Sequence, residues 1–218
     1  MAPPQPAASQ RPAPRLYLIT PVIEDAAAFA GILRDAVTGA DVAAVLLRLK
    51  SAGERDLINR VKLLAPLVQS NDIALILDGF PEVAARAGAD GAHLTGLAAF
   101  TAAVEGLKPA KIAGCGGVPS RDDAMQAGEK ADYVMFGDAT TGQRRAPLPA
   151  IVERIEWWAE LFQVPCVGFA ADPSEVAPLC AAGADFVAIG DGIWDNPRGV
   201  ALAIADVALK LAPPDAAP

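Results

Sequence analysis

One signal recurs four times along this chain: an amphipathic segment, then Gly-Ala-Asp or Lys-Ala-Asp, then a short apolar run. The copies are "GADVAAVLL" from Gly39, "GADGAHL" from Gly88, "KADYVMFG" from Lys130 and "GADFVAIG" from Gly183. Their acids, Asp41, Asp90, Asp132 and Asp185, lie 49, 42 and 53 residues apart. One βα unit takes about 30 residues or somewhat fewer, so each interval has room for two. Glycine suits the left-handed end of a helix, and aspartate suits the turn into the next strand.

A second apolar run should therefore lie between the copies, and four are present. They are "LYLIT" from Leu16, "IALIL" from Ile73, "AKIAG" from Ala110 and "CVGF" from Cys166. The eight runs are too apolar to alternate, as expected of parallel strands covered by helices. Between them, "DAAAFAGILRDAVT", "ERDLINRVKLLAPLVQ", "LPAIVERIEWWAELF" and "GVALAIADVALKL" carry apolar residues at helical spacing. Pro173-Ser174-Glu175 and Asn196-Pro197 read as helix starts. Eight such units predict a single-domain (β/α)₈ TIM barrel over residues 15–212, and no GxGxxG follows the first strand to favour an open doubly wound sheet.

Composition narrows the function classes. A net charge of −8 without a basic stripe argues against nucleic acid as a partner. No apolar run approaches the roughly 20 residues of a membrane span, so no membrane partner is expected. Residues 1–14 and 213–218 are rich in Pro and Ala and are expected to be disordered tails. The first has no apolar core for a secretion signal, and three scattered cysteines suit a reducing compartment, so cytoplasm is the expected location. The expected partner is a small molecule, with a homo-oligomer left open.

Ligand groups of such barrels sit where strands end. Those positions hold Thr20 and Pro21, Arg48 and Lys50, Asp78, His93 and Thr95, and Cys115-Gly116-Gly117. The second half adds Gly137 and Asp138, Ala170-Ala171-Asp172, and Gly190-Asp191-Gly192. Arg48 and Lys50 stand two apart on a strand, so they are expected to point to the same face. They suit either anion binding or ion pairs with Asp78, Asp138, Asp172 and Asp191. Those four aspartates lack metal-ligand spacing. Trp157 and Trp158 on an outer helix suit packing or a protein contact. Arg144 and Arg145 in "TTGQRRAP" suit a basic lid or solvated loop charge.

These segments, in order, resemble the thiamine phosphate synthase/TenI family. "LLRLK" is similar to its Q-L-R-x-K segment, "LILDG" to I-N-D-R, "GADGAHLTG" to G-A-D-G-V-H-L-G-Q, and "ADYVMFGDA" to A-D-Y-V-G-F-G-P. The resemblance implies a TIM barrel that binds phosphorylated thiamine precursors. A synthase of this kind joins an aminopyrimidine pyrophosphate to a thiazole phosphate while Mg²⁺ neutralises the departing pyrophosphate. It assigns catalytic cationic positions to Arg48, Lys50 and Arg145, and a magnesium ligand to Asp78. Substrate contacts fall on Thr20, Cys115, Gly116, Gly117, Gly137, Ala170, Ala171, Gly190, Asp191 and Gly192.

The chain departs from that pattern at the functional ends. Leu46 replaces Gln, Leu77 replaces Asn, Gly79 replaces Arg, and Ala98 lies where a second magnesium carboxylate belongs. Gly117 removes the His that a TenI-type tautomerase uses for proton transfer. Asp191 stands where the family has Ser, and Ala170-Ala171-Asp172 where it has Gly-Gly. Two like charges about 4 Å apart repel by about 4 kcal/mol at an effective dielectric of about 20. That exceeds the roughly 1.5–3 kcal/mol of one hydrogen bond to a charged group. Asp191 is thus either a turn acid pointing away or the mark of a site that rejects phosphate. The expectation is a divergent, non-standard or inactive family member. The alternatives are an active synthase using Mg²⁺, and an enzyme with a changed, less phosphorylated substrate.

Overall fold

The computed structural model describes residues 12–138 and 144–211. Eight parallel strands close in chain order: β1 (Arg15–Ile19), β2 (Val42–Leu47), β3 (Ala74–Asp78), β4 (Gly91–Thr95), β5 (Ile112–Gly116), β6 (Tyr133–Phe136), β7 (Cys166–Ala170) and β8 (Phe186–Ile189). The last returns to the first, with Leu16 opposite Val187 and Leu18 opposite Ile189. The helices are α1 (Ala26–Thr38), α2 (Glu54–Gln69), α3 (Pro81–Ala87), α4 (Leu97–Leu107), α5 (Arg121–Gly128), α6 (Leu148–Leu161), α7 (Val176–Ala181), α8 (Asp191–Trp194) and α9 (Val200–Leu211). This is the (β/α)₈ barrel that the recurrence predicts. The Pro/Ala-rich tails lie outside the described residues, apart from Pro12–Pro14, as do Ala212 and Thr140–Gln143 of the Arg144-Arg145 loop.

Alternation along the strands creates two cores. Leu16 and Leu18 point outward into a large cluster with Val45, Leu47, Leu75 and Leu77, covered by the helices. Tyr17 and Ile19 point inward and meet Leu46, Ile76, Tyr133, Met135, Val167 and Ala188 inside the barrel. The helices bury matching stripes. In α2, Leu57, Val61, Leu64 and Val68 are buried, while Asp25 caps α1 by accepting from Ala27 N at 2.9 Å and Ala28 N at 3.0 Å. Trp158 is buried and Trp157 lies beneath the Arg121 guanidinium at 4.8 Å, so both tryptophans have packing roles.

The recurring aspartates clasp neighbouring strands at the end of the barrel where strands begin. Asp90 donates its N–H to Leu75 O at 2.9 Å and accepts Leu75 N–H on Oδ2 at 2.8 Å. Asp132 repeats both bonds with Ala113, and Asp185 repeats both with Cys166. Asp41 uses a side chain instead: Arg15 Nη2 donates to its Oδ1 at 2.7 Å. The glycine expectation holds at Gly88 and Gly183, whose φ values are +84° and +92°. Gly39 departs from it, ending α1 with φ −87° in the right-handed region.

Candidate ligand site at the barrel mouth

The opposite rim encloses a cavity of about 250 Å³. Ile19, Leu46, Met135 and Phe169 form its apolar part, and Arg48, Asp78, His93, Thr95, Asp138, Arg145 and Asp191 supply polar groups. Thr20 is fully buried and positions Arg48. Its Oγ1 accepts Arg48 N–H at 3.0 Å, and its carbonyl accepts from Arg48 Nε at 2.5 Å. The guanidinium then extends towards Asp191, with Nη2 3.5 Å from Oδ1.

Lys50 does not share this face. The ladder of β2 ends at Leu47, and a separate bridge pairs Leu49 with Ile23. Lys50 Nζ consequently lies 2.8 Å from Glu24 Oε1, outside the cavity lining. Arg145 is held more tightly. Its Nε donates to Gly137 O at 2.9 Å and its Nη2 to Phe169 O at 2.9 Å. Nη1 and Nη2 also donate to the two Glu175 carboxylate oxygens at 3.1 and 2.6 Å. Four of the guanidinium's five donors are engaged within the protein.

The acids separate into different environments. Burial pushes the Asp78 carboxyl up, opposed by His93 and Arg48 and reinforced by Asp138. Asp138 Oδ2 lies 3.8 Å from His93 Nε2. Asp172 accepts from Ser174 N at 2.7 Å and Ser174 Oγ at 2.5 Å, which lowers its carboxyl pKa. It caps the turn that leads into α7. Asp191 begins the four-residue α8 with its side chain 84% exposed. It therefore meets Arg48 from the solvent side.

A buried polar chain lies beneath the cavity. His93 Nδ1 is 3.0 Å from Tyr133 Oη, which is 2.8 Å from Tyr17 Oη. Burial raises both phenol pKa values, so both stay protonated and able to donate. Two glycines of β5 make the space. A Cβ on Gly114 would lie 2.1 Å from the Tyr133 ring, and one on Gly116 would lie 2.3 Å from Asp138 Oδ2 and 2.6 Å from His93 Nε2.

The remaining expected positions are distributed around this centre. Cys115 is buried among the outer core residues, and burial pushes its thiol up to about 12, which makes it a packing residue. Cys166 is buried and Cys180 is only half-buried. Gly117 lines a neighbouring hollow with Arg144 and Arg154. Gly137 contributes a carbonyl to Arg145, Ala170 is buried, and Ala171 gives its N–H to Glu175 Oε2 at 2.8 Å. Gly190 lines the cavity, whereas Gly192 faces a separate hollow beside Pro173.

Among the described residues, no group of three or more His, Cys, Asp or Glu side chains is placed to hold a metal ion. Asp78 and Asp138 share the cavity, but magnesium held by one or two carboxylates needs substrate phosphates to complete its shell. Of the cationic positions that the resemblance assigns to catalysis, Lys50 pairs with Glu24 and Arg145 with Glu175. Asp78 and Asp138 are the carboxylates of this cavity that would face a magnesium ion. Tyr17, Tyr133 and Glu175 are the participants that the sequence reading missed. Glu175 was visible only as part of a helix-start signal.

Together, the fold and cavity define a (β/α)₈ barrel with a small-molecule site at the ends of its strands. A sequence profile of the thiamine monophosphate synthase family matches residues 16–193, and the chain belongs to that family. It is 43% identical to the thiamine-phosphate synthase of Rhodospirillum centenum over 88% of this chain and 95% of that one. It is 36% identical to the Hyphomonas neptunium protein of the same name over 90% and 93%. The thiamine phosphate pyrophosphorylase structure from Pyrococcus furiosus shares the fold, with a TM-score of 0.73, 22% identity and coverage of 92% and 96%.

Proposed function

We propose that this barrel binds a thiamine precursor carrying little or no phosphate, and that it is a non-standard family member that does not sustain the pyrophosphate-releasing condensation. The charge balance of the cavity carries this reading. Asp78, Asp138 and Asp191 line it, whereas of its two arginines Arg145 is paired with Glu175 and Arg48 meets only the exposed Asp191 among the described residues. An amino-substituted heterocycle suits such a mouth because its N–H groups can donate to the acids. A pyrophosphate would meet them as like charges.

Purified protein supplied with aminopyrimidine pyrophosphate, thiazole phosphate and Mg²⁺ should release almost no pyrophosphate above background. Sustained release would overturn the proposal. It would favour the second reading, an active thiamine phosphate synthase, which is supported by the name of the relative that is 43% identical. On the first reading, a thermal-shift panel should find stabilisation by an unphosphorylated precursor larger than that by its phosphorylated form.

A further inference from the structure

His93 is the single histidine of the chain, and its side chain is buried. The two nitrogens of its ring meet different groups. Nδ1 lies 3.0 Å from Tyr133 Oη, and Nε2 faces the Asp138 carboxylate, 3.8 Å from Oδ2. The Tyr133 and imidazole rings are nearly parallel, 11° apart, and Tyr133 Oη lies 2.8 Å from Tyr17 Oη. Both phenols keep their protons, because burial disfavours the phenolate. Tyr17 packs with Ile19, Leu46 and Ile76 inside the barrel, and its Oη has no other hydrogen-bond partner among the described residues.

Counting protons along this row leaves one arrangement satisfied. Each phenol brings one proton, and a neutral imidazole brings one donor nitrogen and one acceptor nitrogen. If Nδ1 carried the proton, Tyr133 would accept it and pass its own proton on to Tyr17. The Tyr17 proton would then lack an acceptor among the described residues, and a bare Nε2 lone pair would face a carboxylate. With the proton on Nε2, Tyr17 donates to Tyr133, Tyr133 donates to Nδ1, and Nε2–H points at Asp138. Every buried donor then has an acceptor before it, as in the great majority of native structures. In histidine, the hydrogen bond made by one nitrogen decides which nitrogen holds the proton. We propose that Tyr17 and Tyr133 are positioning residues that lock His93 as its Nε2–H tautomer, so that His93 serves the cavity as a fixed hydrogen-bond donor and not as a base. A ligand at this wall meets an N–H beside the Asp78 and Asp138 carboxylates, whichever precursor it is. The lock is a property of the resting protein and stands apart from the functional proposal above.

Nitrogen-15 NMR of the full chain tests the lock directly, because one histidine gives one pair of imidazole signals. Near neutral pH, Nε2 should show the shift of a proton-bearing nitrogen and Nδ1 that of a bare, hydrogen-bonded one. This tautomer should be in roughly tenfold excess or more over the other. Tyr133→Phe keeps the ring that packs over Gly114 but removes the donor, and should move the Nδ1 signal towards that of an unbonded nitrogen. Adding Asp138→Ala releases the other end and should leave both tautomers populated. A proton on Nδ1 in the unsubstituted protein, alone or together with one on Nε2, would overturn the proposal. So would an Nδ1 signal unmoved by Tyr133→Phe, or a double variant that keeps a single tautomer. The first spectrum needs no variant, so it decides the matter even if a melting curve shows that a substituted chain does not fold. Loss of the lock would leave the functional proposal standing, whereas sustained turnover of the phosphorylated precursors would defeat that proposal without altering these spectra.

Discussion

At the rim where strands begin, Asp90, Asp132 and Asp185 make the same pair of bonds to the strand before them. At the rim where strands end, no two acids do the same thing. Asp78 is buried in the cavity, Asp138 faces His93, Asp172 caps Ser174 and Asp191 reaches Arg48 from solvent. Repetition at one end marks a mechanical task, because register must be set again at each strand pair. Variation at the other end marks a recognition task, because each loop meets a different part of one cavity.

Substitutions at the two ends should separate those tasks. Asp90→Ala leaves the buried Leu75 N–H without its carboxylate acceptor and should cost about 2 kcal/mol in a denaturant titration. Ligand affinity should not change, since the site lies at the other rim. Gly116→Ala should cost about 1–2 kcal/mol, because its Cβ forces Asp138 and His93 apart. Unlike Asp90→Ala, it should also alter binding. A fall in both quantities for Asp90→Ala would break the comparison.

Asp78→Asn should give a smaller effect of opposite sign. A carboxyl raised by burial favours the folded state when protonated, so its contribution is complete below its ordinary value of 3.8. The contribution is lost as pH rises through the higher folded value. The amide is neutral throughout, so Asp78→Asn should raise the melting temperature by a few degrees near neutral pH and leave it unchanged below 3.8. Asp191→Asn should change stability least, by under about 0.5 kcal/mol, because its pair with Arg48 is long and exposed. Raising the salt concentration should erase even that difference.

The same contrast explains what was legible in the sequence. Four copies of one signal revealed the barrel because a local bond, between residues 15 to 19 positions apart in three cases, demands the same residues each time. Apolar runs also located all eight strands. They could not separate inward from outward residues, since both faces of these strands are buried. The Tyr17–Tyr133 contact joins residues 116 positions apart and left no periodic trace. Glu175 looked like helix-start chemistry because its partner Arg145 lies 30 positions away. Alternation placed Arg48 in the mouth but failed for Lys50, beyond the end of the β2 ladder.

Asp185 has a further bond that bears on how the ring assembles. Its side chain reaches back to Cys166 while its carbonyl accepts Arg15 N–H at 3.2 Å, joining the end of the chain to its beginning. The other clasps can form while the chain is still short, because they close small loops at little entropic cost. This one must await both termini of the barrel. The seam between β8 and β1 is thus the strand pairing of greatest sequence separation in the ring, the kind of contact whose closure costs the most chain entropy.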